Sequence, residues 1–403
     1  MAPGYILALN VGSSGLKFAA YEAGTMRLLV RGEWRASAGA AIQLRLSAGT
    51  GGVAVCTTVP SLLPTGQIRL ILDALTPYTE TRVLMAVGHR IVHGGRCFSV
   101  PVILDNHSIS KLEELSPLAP LHQPACLAMV EAVREVMPGL RQVACFDTGF
   151  HNALTPPVSR YAVPPELEAD GVRRYGFHGI SYQSITDQLA ADPTFSPDER
   201  VVVAHLGSGA SLCAMRNLRS VDTTMGFSTL EGIVMGTRPG TLDPGIMLYL
   251  MRAKRWSADQ IERLLYHECG LKAVSGMTGD VEALLRSTDP RAREALDLFA
   301  FSVARHTAAV ASTLGGLDRF VFTGGIGEHA SPVRAMIGDR LAWLGCELSG
   351  EANDDNRREI SAADSRIRVQ VLETDEQAVI ARATAGLVTG PTAMAADASN
   401  EHR

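Results

Sequence analysis

The stretch YILALNVGSSGLKFAAYEAG, residues 5–24, is where the fold is read first. Apolar residues run to Val11, stop at Gly12-Ser13-Ser14-Gly15, and resume around a single lysine, Lys17. A turn without side-chain bulk between two apolar runs reads as a β-hairpin. Its bare backbone also lets N–H groups approach an anion closely. The plan returns 195 residues later: ALNVGSSGLKFA (8–19) and AHLGSGASLCAM (204–215) share apolar strand, Gly-Ser turn and apolar strand. Two such hairpins so far apart predict two related domains, although Gly-Ser hairpin turns are common enough to recur without duplication.

Composition agrees with two domains. A chain of 403 residues exceeds one ordinary core. Hydrophobic residues at 46% and charged residues at 20% describe a soluble globular protein, and the net charge of −5 with no basic stripe argues against nucleic acid as a partner. Only four of the 37 basic residues are lysine, which makes Lys17 beside the first glycine turn stand out, although a surface position by chance is the alternative. The seven cysteines are scattered and never form C-x-x-C, so reduced thiols are expected rather than a disulfide framework. No signal peptide is visible. The most apolar long segment, 295–314, contains Asp297, Arg305 and His306 and is no membrane span, so a cytoplasmic protein is expected.

A third glycine turn lies in RFVFTGGIGEHASPVRAMI, read as strand 319–323, a Gly-Gly-x-Gly turn and a helix. Ser331 is the expected N-cap of that helix, Pro332 its first-turn residue and Gly345 its stop. A long helix is predicted over 290–314, capped by Asp289, opened by Pro290 and closed by Gly315-Gly316. Another begins at the capping box SADQ (257–260) and runs to Gly270. Strands alternating with capped helices predict an α/β architecture. Residues 31–80 read as a peripheral β insertion, and the tail after Gly390 is expected to fray. None of the glycine turns is a Walker or Rossmann motif. Together they predict a polyphosphate held from two sides.

More specific are stretches that place Arg, His or Asp beside Gly or Pro, where loops must form. They are VGHRIVHGG (87–95), APLHQPA (119–125), CFDTGFH (145–151), RRYGFHGIS (173–181), AHLGSGAS (204–211) and TTMGFSTLEGIVMGTRPGTLDPG (223–245). This set, in this order, resembles the acetate kinase family, within the actin-like, Hsp70-like and sugar-kinase-like phosphotransferases. The likeness covers about residues 5–385. It implies two duplicated ribonuclease-H-like domains of the actin-like ATPase fold with the active site in an interdomain cleft. Residues 1–150 with the returning helix from 377 to 403 would form the first domain, and 151–376 the second. It also implies Mg²⁺-dependent phosphorylation of acetate by ATP in a homodimer. The helix pattern of the second domain, 290–314 included, offers apolar area that would serve a dimer or the core.

The resemblance implies roles residue by residue. Arg90 and Arg238 would flank the carboxylate and the γ-phosphoryl group, where a planar guanidinium suits the migrating oxygens. Asp147 would position substrate or hold metal, since a carboxylate substrate needs no deprotonation. His178 and His122 would donate hydrogen bonds to the reacting oxygens. Asn10 and Glu376 occupy the metal-proximal positions. Val92, Leu121, Phe177 and Thr229 would line the substrate pocket. Lys17, His205 and Gly207-Ser208-Gly209 would meet phosphate, and Gly324-Gly325-Ile326-Gly327-Glu328 the adenosine. The chain departs from the family's pattern at Gly15, Ser208, Thr229, Thr241 and His329. Thr229 stands where proline is usual and leaves propionate beside acetate as substrate. A nucleotide-binding module that transfers nothing is the alternative of another class. His89 and His93 have the spacing of a zinc helix, but Ile91-Val92 favour a strand and the motif's glutamate is absent.

Overall fold

The computed structural model describes residues 3–12, 15–36, 42–49, 55–59 and 63–389. Its contacts divide the chain into two compact units, one running to Gly149 and resuming at Asp375, the other Phe150–Thr374. Glu376 therefore belongs to the first unit.

In the first unit, β1 (Gly4–Gly12) and β2 (Gly15–Glu22) form the expected antiparallel hairpin, with Asn10 opposite Lys17. Ser13 and Ser14 of its turn lie outside the described residues. β3 (Leu28–Ala36), β4 (Ile42–Ala48) and β5 (Val55–Val59) extend the sheet on one side. β6 (Val83–Ile91) and β8 (Arg141–Phe146) add parallel strands on the other, and β7 (Val102–Ile103) closes that edge. The order is β5-β4-β3-β2-β1-β6-β8-β7. β1 is buried through its length because both faces are covered. Tyr5, Leu7 and Leu9 cluster with Ile68, Ile71 and Leu75 of the helix Pro64–Thr79 and with Val133 of the helix Gln123–Val136. The helix Glu376–Thr389 packs across β1 and β6. It comes so close that a Cβ on Gly88 would lie 2.6 Å from Ile380 Cγ2. Within the 31–80 stretch, β4 and β5 are the expected peripheral strands, with β5 at the edge, whereas 64–79 is a core helix: Pro64 suits a first turn, and an apolar stripe decides the rest.

The second unit repeats the plan. β9 (Arg200–Leu206), β10 (Ala210–Arg216), β11 (Arg219–Thr223), β12 (Arg319–Thr323) and β13 (Arg368–Val371) stand in the order β11-β10-β9-β12-β13. β9, β12 and β13 are parallel, and β9–β10 is the second hairpin. Strands β3-β2-β1-β6-β8 of the first unit match that order and those directions, so the hairpin echo marks a duplicated sheet. Val201, Val203, Cys213 and Val321 pack on Tyr182, Ile185 and Leu189 of the helix Gly179–Ala190. The helix Pro290–Leu314 covers the other face. It begins and ends as the sequence predicts, capped by Asp289 and closed by left-handed Gly315. Its Phe299, Ala300 and Val303 are buried core residues.

Two other boundaries differ. The Gly-Gly-x-Gly turn is helical over Gly324–His329, so the next helix, Ser331–Leu341, takes Ala330 rather than Ser331 as its N-cap. Gly345 does stop that segment, in a left-handed conformation after a short 3₁₀ turn. The capping box at Ser257 and Gln260 forms, but Gly270 opens the helix Gly270–Ser275 instead of closing the one before it.

Candidate active site

In the first unit, four side chains meet at the carboxyl ends of the parallel strands. Asn10 lies near the end of β1 and Arg90 near the end of β6, Asp147 follows β8, and Glu376 opens the last helix. Arg90 donates from Nε (3.0 Å) and Nη2 (2.6 Å) to Asp147 Oδ2, and from Nη1 to Asn10 Oδ1 (3.3 Å) and the Val11 carbonyl (3.0 Å). The Asn10 amide donates to Glu376 Oε2 at 2.5 Å. Asp147 thus serves here by fixing the guanidinium fork.

Burial pushes the Asp147 carboxyl up, Arg90 opposes that, and Glu376 adds to it. Burial acts against the charge of Arg90 as well, but Asp147 and Glu376 outweigh it and raise its pKa. With guanidinium always protonated, a 2.6 Å contact between the two groups is a charged pair. Asp147 Oδ1 is buried with no hydrogen-bond partner among the described residues. Two carboxylates, one with an unused oxygen, and an amide suit a hard divalent cation that keeps most of its waters. No group of three His, Cys, Asp or Glu side chains able to hold a metal occurs among the described residues. His89 lies in β6 and His93 beyond it, both buried as neutral rings.

The second unit gathers its polar groups around the β9–β10 turn. His205 ends β9, and His178 precedes the 179–190 helix with a left-handed backbone, φ +59°. Their rings stack with centroids 4.3 Å apart. A Cβ on Gly209 would lie 3.2 Å from Arg238 Nη2 and 3.3 Å from His178 Nε2, so glycine gives these groups close access to the backbone. His205 Nδ1 meets Ser181 Oγ at 2.7 Å, and that hydroxyl donates to Thr374 Oγ1. Arg238 is 7% exposed, and its Nη1 donates to the Thr229 carbonyl. The loop carrying it is stitched by Met235 N–H to the Arg238 carbonyl and Thr241 N–H to the Gly232 carbonyl. Thr241, a departure from the family's pattern, works in that latch. Ser208 at the tip of the turn is exposed.

The Gly324–Glu328 segment is split in purpose. Gly325 faces open space, whereas a Cβ on Gly324 (φ +76°) would strike the Leu206 backbone. Glu328, expected at the nucleotide, also clasps the segment: its buried Oε1 accepts from Gly324 N–H (2.8 Å), Thr374 N–H (3.0 Å) and the Thr323 hydroxyl. His329 beside it is exposed. Arg334 completes this segment without any mark in the sequence. It is fully buried, donates to the carbonyls of Gly327 and Glu328, and holds Asn353, thereby closing the end of that short helix. A lone arginine on an exposed-looking helix gives no sequence signal for this.

Other expected residues fall as follows. Val92 and Phe177 are buried, Leu121 is exposed, and Thr229 is nearly buried. Lys17 is exposed on β2. His122 takes the N-cap position of the 123–136 helix without capping it by its side chain.

Repeated α/β units with guanidinium, imidazole and glycine-turn groups at the ends of their parallel strands define a phosphotransferase of the actin-like ATPase fold. The acetokinase family model matches residues 5–382, and the chain belongs to that family. An acetate kinase of Rhodopseudomonas palustris (strain TIE-1) is 45% identical over 387 residues, covering 94% of this chain and 96% of its own. One from Nitrobacter hamburgensis is 42% identical over 95% of this chain and 96% of its own. The crystal structure of a propionate kinase from Francisella tularensis superposes with a TM-score of 0.87 at 33% identity, covering 94% of this chain and 98% of its own. Porphyromonas gingivalis acetate kinase gives 0.82 at 34% identity, covering 96% and 100%.

Proposed function

We propose that the protein transfers the γ-phosphoryl group of ATP to acetate, reversibly, giving acetyl phosphate and ADP. An acetate oxygen attacks the γ-phosphorus as its bond to the β,γ-bridging oxygen breaks, and ADP leaves with that electron pair. A carboxylate is already a nucleophile, so no base is needed, and positioning with charge neutralisation is what remains for the protein to do. The observation that carries the reading is a pair of arginines each held by protein acceptors, Arg90 by Asp147 and Arg238 by the Thr229 carbonyl. Transfer requires both to act on one phosphoryl group, with His178 and His205 as further contacts. The glycine turns at Gly207 and Gly324 would receive the nucleotide.

Glu376 and Asn10, with Asp147 beside them, would hold Mg²⁺. Bound there, the ion neutralises charge on the phosphate oxygens.

Acetate is the substrate we assign. Propionate is the second reading, favoured by the likeness to a propionate kinase and by Thr229, which adjoins Arg238 where proline is usual. One methylene in an apolar pocket is worth only about 1–3 kcal/mol. Trapping acyl phosphate with hydroxylamine over acetate, propionate and butyrate separates them by kcat/KM. ATP hydrolysis indifferent to added carboxylate would instead indicate a nucleotide-binding module. Arg238→Ala should lower kcat by about two to three orders of magnitude, and turnover near the parent's defeats the assignment.

A homodimer is also proposed, through the helix Pro244–Ala253; the helix 290–314 is buried along one side and exposes Leu298 and Phe301 on another. None of the 244–253 residues is buried, and Ile246, Leu248, Tyr249 and Met251 are exposed. No described helix is long and apolar enough to cross a membrane, and use of ATP suits the cytoplasm.

A further inference from the structure

His178 faces two ways. Its Nε2 side addresses Gly209, while Nδ1 lies 2.9 Å from Ser211 Oγ. The same hydroxyl is 2.6 Å from Tyr182 Oη. Tyr182 is four residues beyond His178, so one helical turn brings phenol and imidazole to the same side, with Tyr182 N–H donating to the His178 carbonyl at 3.0 Å. Ser211 lies on β10 opposite His205. Ser211 and Tyr182 are both fully buried, and the phenol ring is wedged edge-on against His151 and tilted on Phe150. Neither hydroxyl can turn to solvent.

The proton count selects one arrangement. Each hydroxyl has a single proton to donate, and the imidazole has one in its neutral form. If the phenol donates to Ser211 Oγ and Ser211 donates to Nδ1, both buried protons are used and the ring proton sits on Nε2. If Nδ1–H donates to Ser211, the phenol proton or the serine proton is left without an acceptor in the core, an arrangement that buried polar groups avoid.

We infer that Tyr182 and Ser211 form a directional hydrogen-bond relay that fixes His178 as the Nε2–H tautomer, so that the ring presents a donor to anionic oxygens at the Gly207–Gly209 turn. They are positioning residues: neither touches the reacting atoms. What that donor meets rests on the phosphoryl-transfer reading, but the relay stands on geometry alone.

The test begins with the full-length parent protein labelled with ¹⁵N-histidine, His178 being assigned from the signal lost in His178→Gln. Ring-nitrogen shifts should report the Nε2–H tautomer; an Nδ1–H tautomer overturns the relay. Ser211→Ala should spread His178 over both tautomers and lower kcat about tenfold, the scale for losing a group that orients a functional imidazole. KM for acetate and ATP should stay within about twofold, because the donor matters most as charge develops. Ser211→Thr, which keeps the hydroxyl, should restore most of kcat, and Tyr182→Phe should cost about threefold. Unchanged kcat in Ser211→Ala, or a loss confined to KM, overturns the inference. Should Ser211→Ala fail to fold, the parent spectrum and Tyr182→Phe decide. Carboxylate-dependent acyl phosphate formation by the parent protein is scored separately, so failure of the functional reading is distinguishable from failure of the relay.

Discussion

Asp147→Asn isolates what the carboxylate does for Arg90. Two charge-assisted bonds end on Oδ2, at 3.0 and 2.6 Å. An amide of the same shape still offers an oxygen, but each bond becomes neutral at the acceptor. Bonds to charged groups are worth about 1.5–3 kcal/mol and neutral ones about 0.5–1.5, so roughly 2–3 kcal/mol of orienting energy is lost over the pair. If that energy keeps the guanidinium in its productive pose, kcat falls about 30- to 150-fold, at 1.36 kcal/mol per decade. Stability should fall as well, by up to about 3–5 kcal/mol, because Asp147→Asn leaves the buried Arg90 without its nearest counter-charge. Hydroxylamine trapping at saturating acetate and ATP gives kcat, and thermal melting gives stability. The double variant with Arg90→Ala should be no worse than Arg90→Ala alone, because the two act as one. A folded Asp147→Asn enzyme with kcat within threefold of the parent would refute the reasoning, since Arg90 would then owe its position to Asn10 and the Val11 carbonyl.

Glu376→Gln should raise the Mg²⁺ concentration for half-maximal activity about tenfold, measured by metal titration at fixed ATP; an unchanged titration would remove Glu376 from the metal's surroundings. Acid should destabilise the fold in a defined window. Burial pushes His89, His93 and His151 down to about 4 from an ordinary 6.5. With folded pKa values depressed, their contribution is complete above pH 6.5 and is lost as pH falls toward 4, about 3 kcal/mol for each. Urea unfolding at pH 7, 5.5 and 4.5 should show midpoints falling steadily, and a flat series contradicts the burial of these rings. Leu248→Glu, on the exposed 244–253 helix, should yield monomers by light scattering; a dimer unaffected by that charge would place the interface elsewhere.

What the sequence displayed was local. Asp289-Pro290 and Gly315-Gly316 bracket the long helix because cap, first-turn proline and left-handed stop each act within a few residues. The β12 strand, the Ser257 capping box and both Gly-Ser hairpins were legible for the same reason. What failed needed partners distant in sequence. The Gly324–His329 helix survives three glycines because Glu328 clasps its start and Arg334 takes the carbonyls at its end. Residues 64–79 became helical because Ile68, Ile71 and Leu75 found Leu7 and Leu9 across the sheet. The site residues were recognisable by type and neighbours, but not their pairing: nothing near Asp147 announces that Arg90, 57 positions earlier, takes up its carboxylate.

The duplication explains where the chemistry sits. In a sheet with parallel central strands, the carboxyl ends face one edge, and turns leaving that edge are where ligands bind. In the first unit, those ends carry Asn10 (β1), Arg90 (β6) and Asp147 (β8). In the second, the equivalent ends carry His205 (β9), the Gly324 turn (β12) and Thr374 (just past β13). Asn10 and His205 each stand two residues before the glycine of their hairpin turn, so the same backbone position supplies an amide beside a carboxylate in one copy and an imidazole in the other. One topology therefore yields two unlike edges: a carboxylate-rich one fit for a cation and a guanidinium, and a hydrogen-bonding one fit for anionic oxygens. Sequence change at strand ends leaves the buried ladder untouched. A duplicated sheet could therefore diverge at these positions without losing its core.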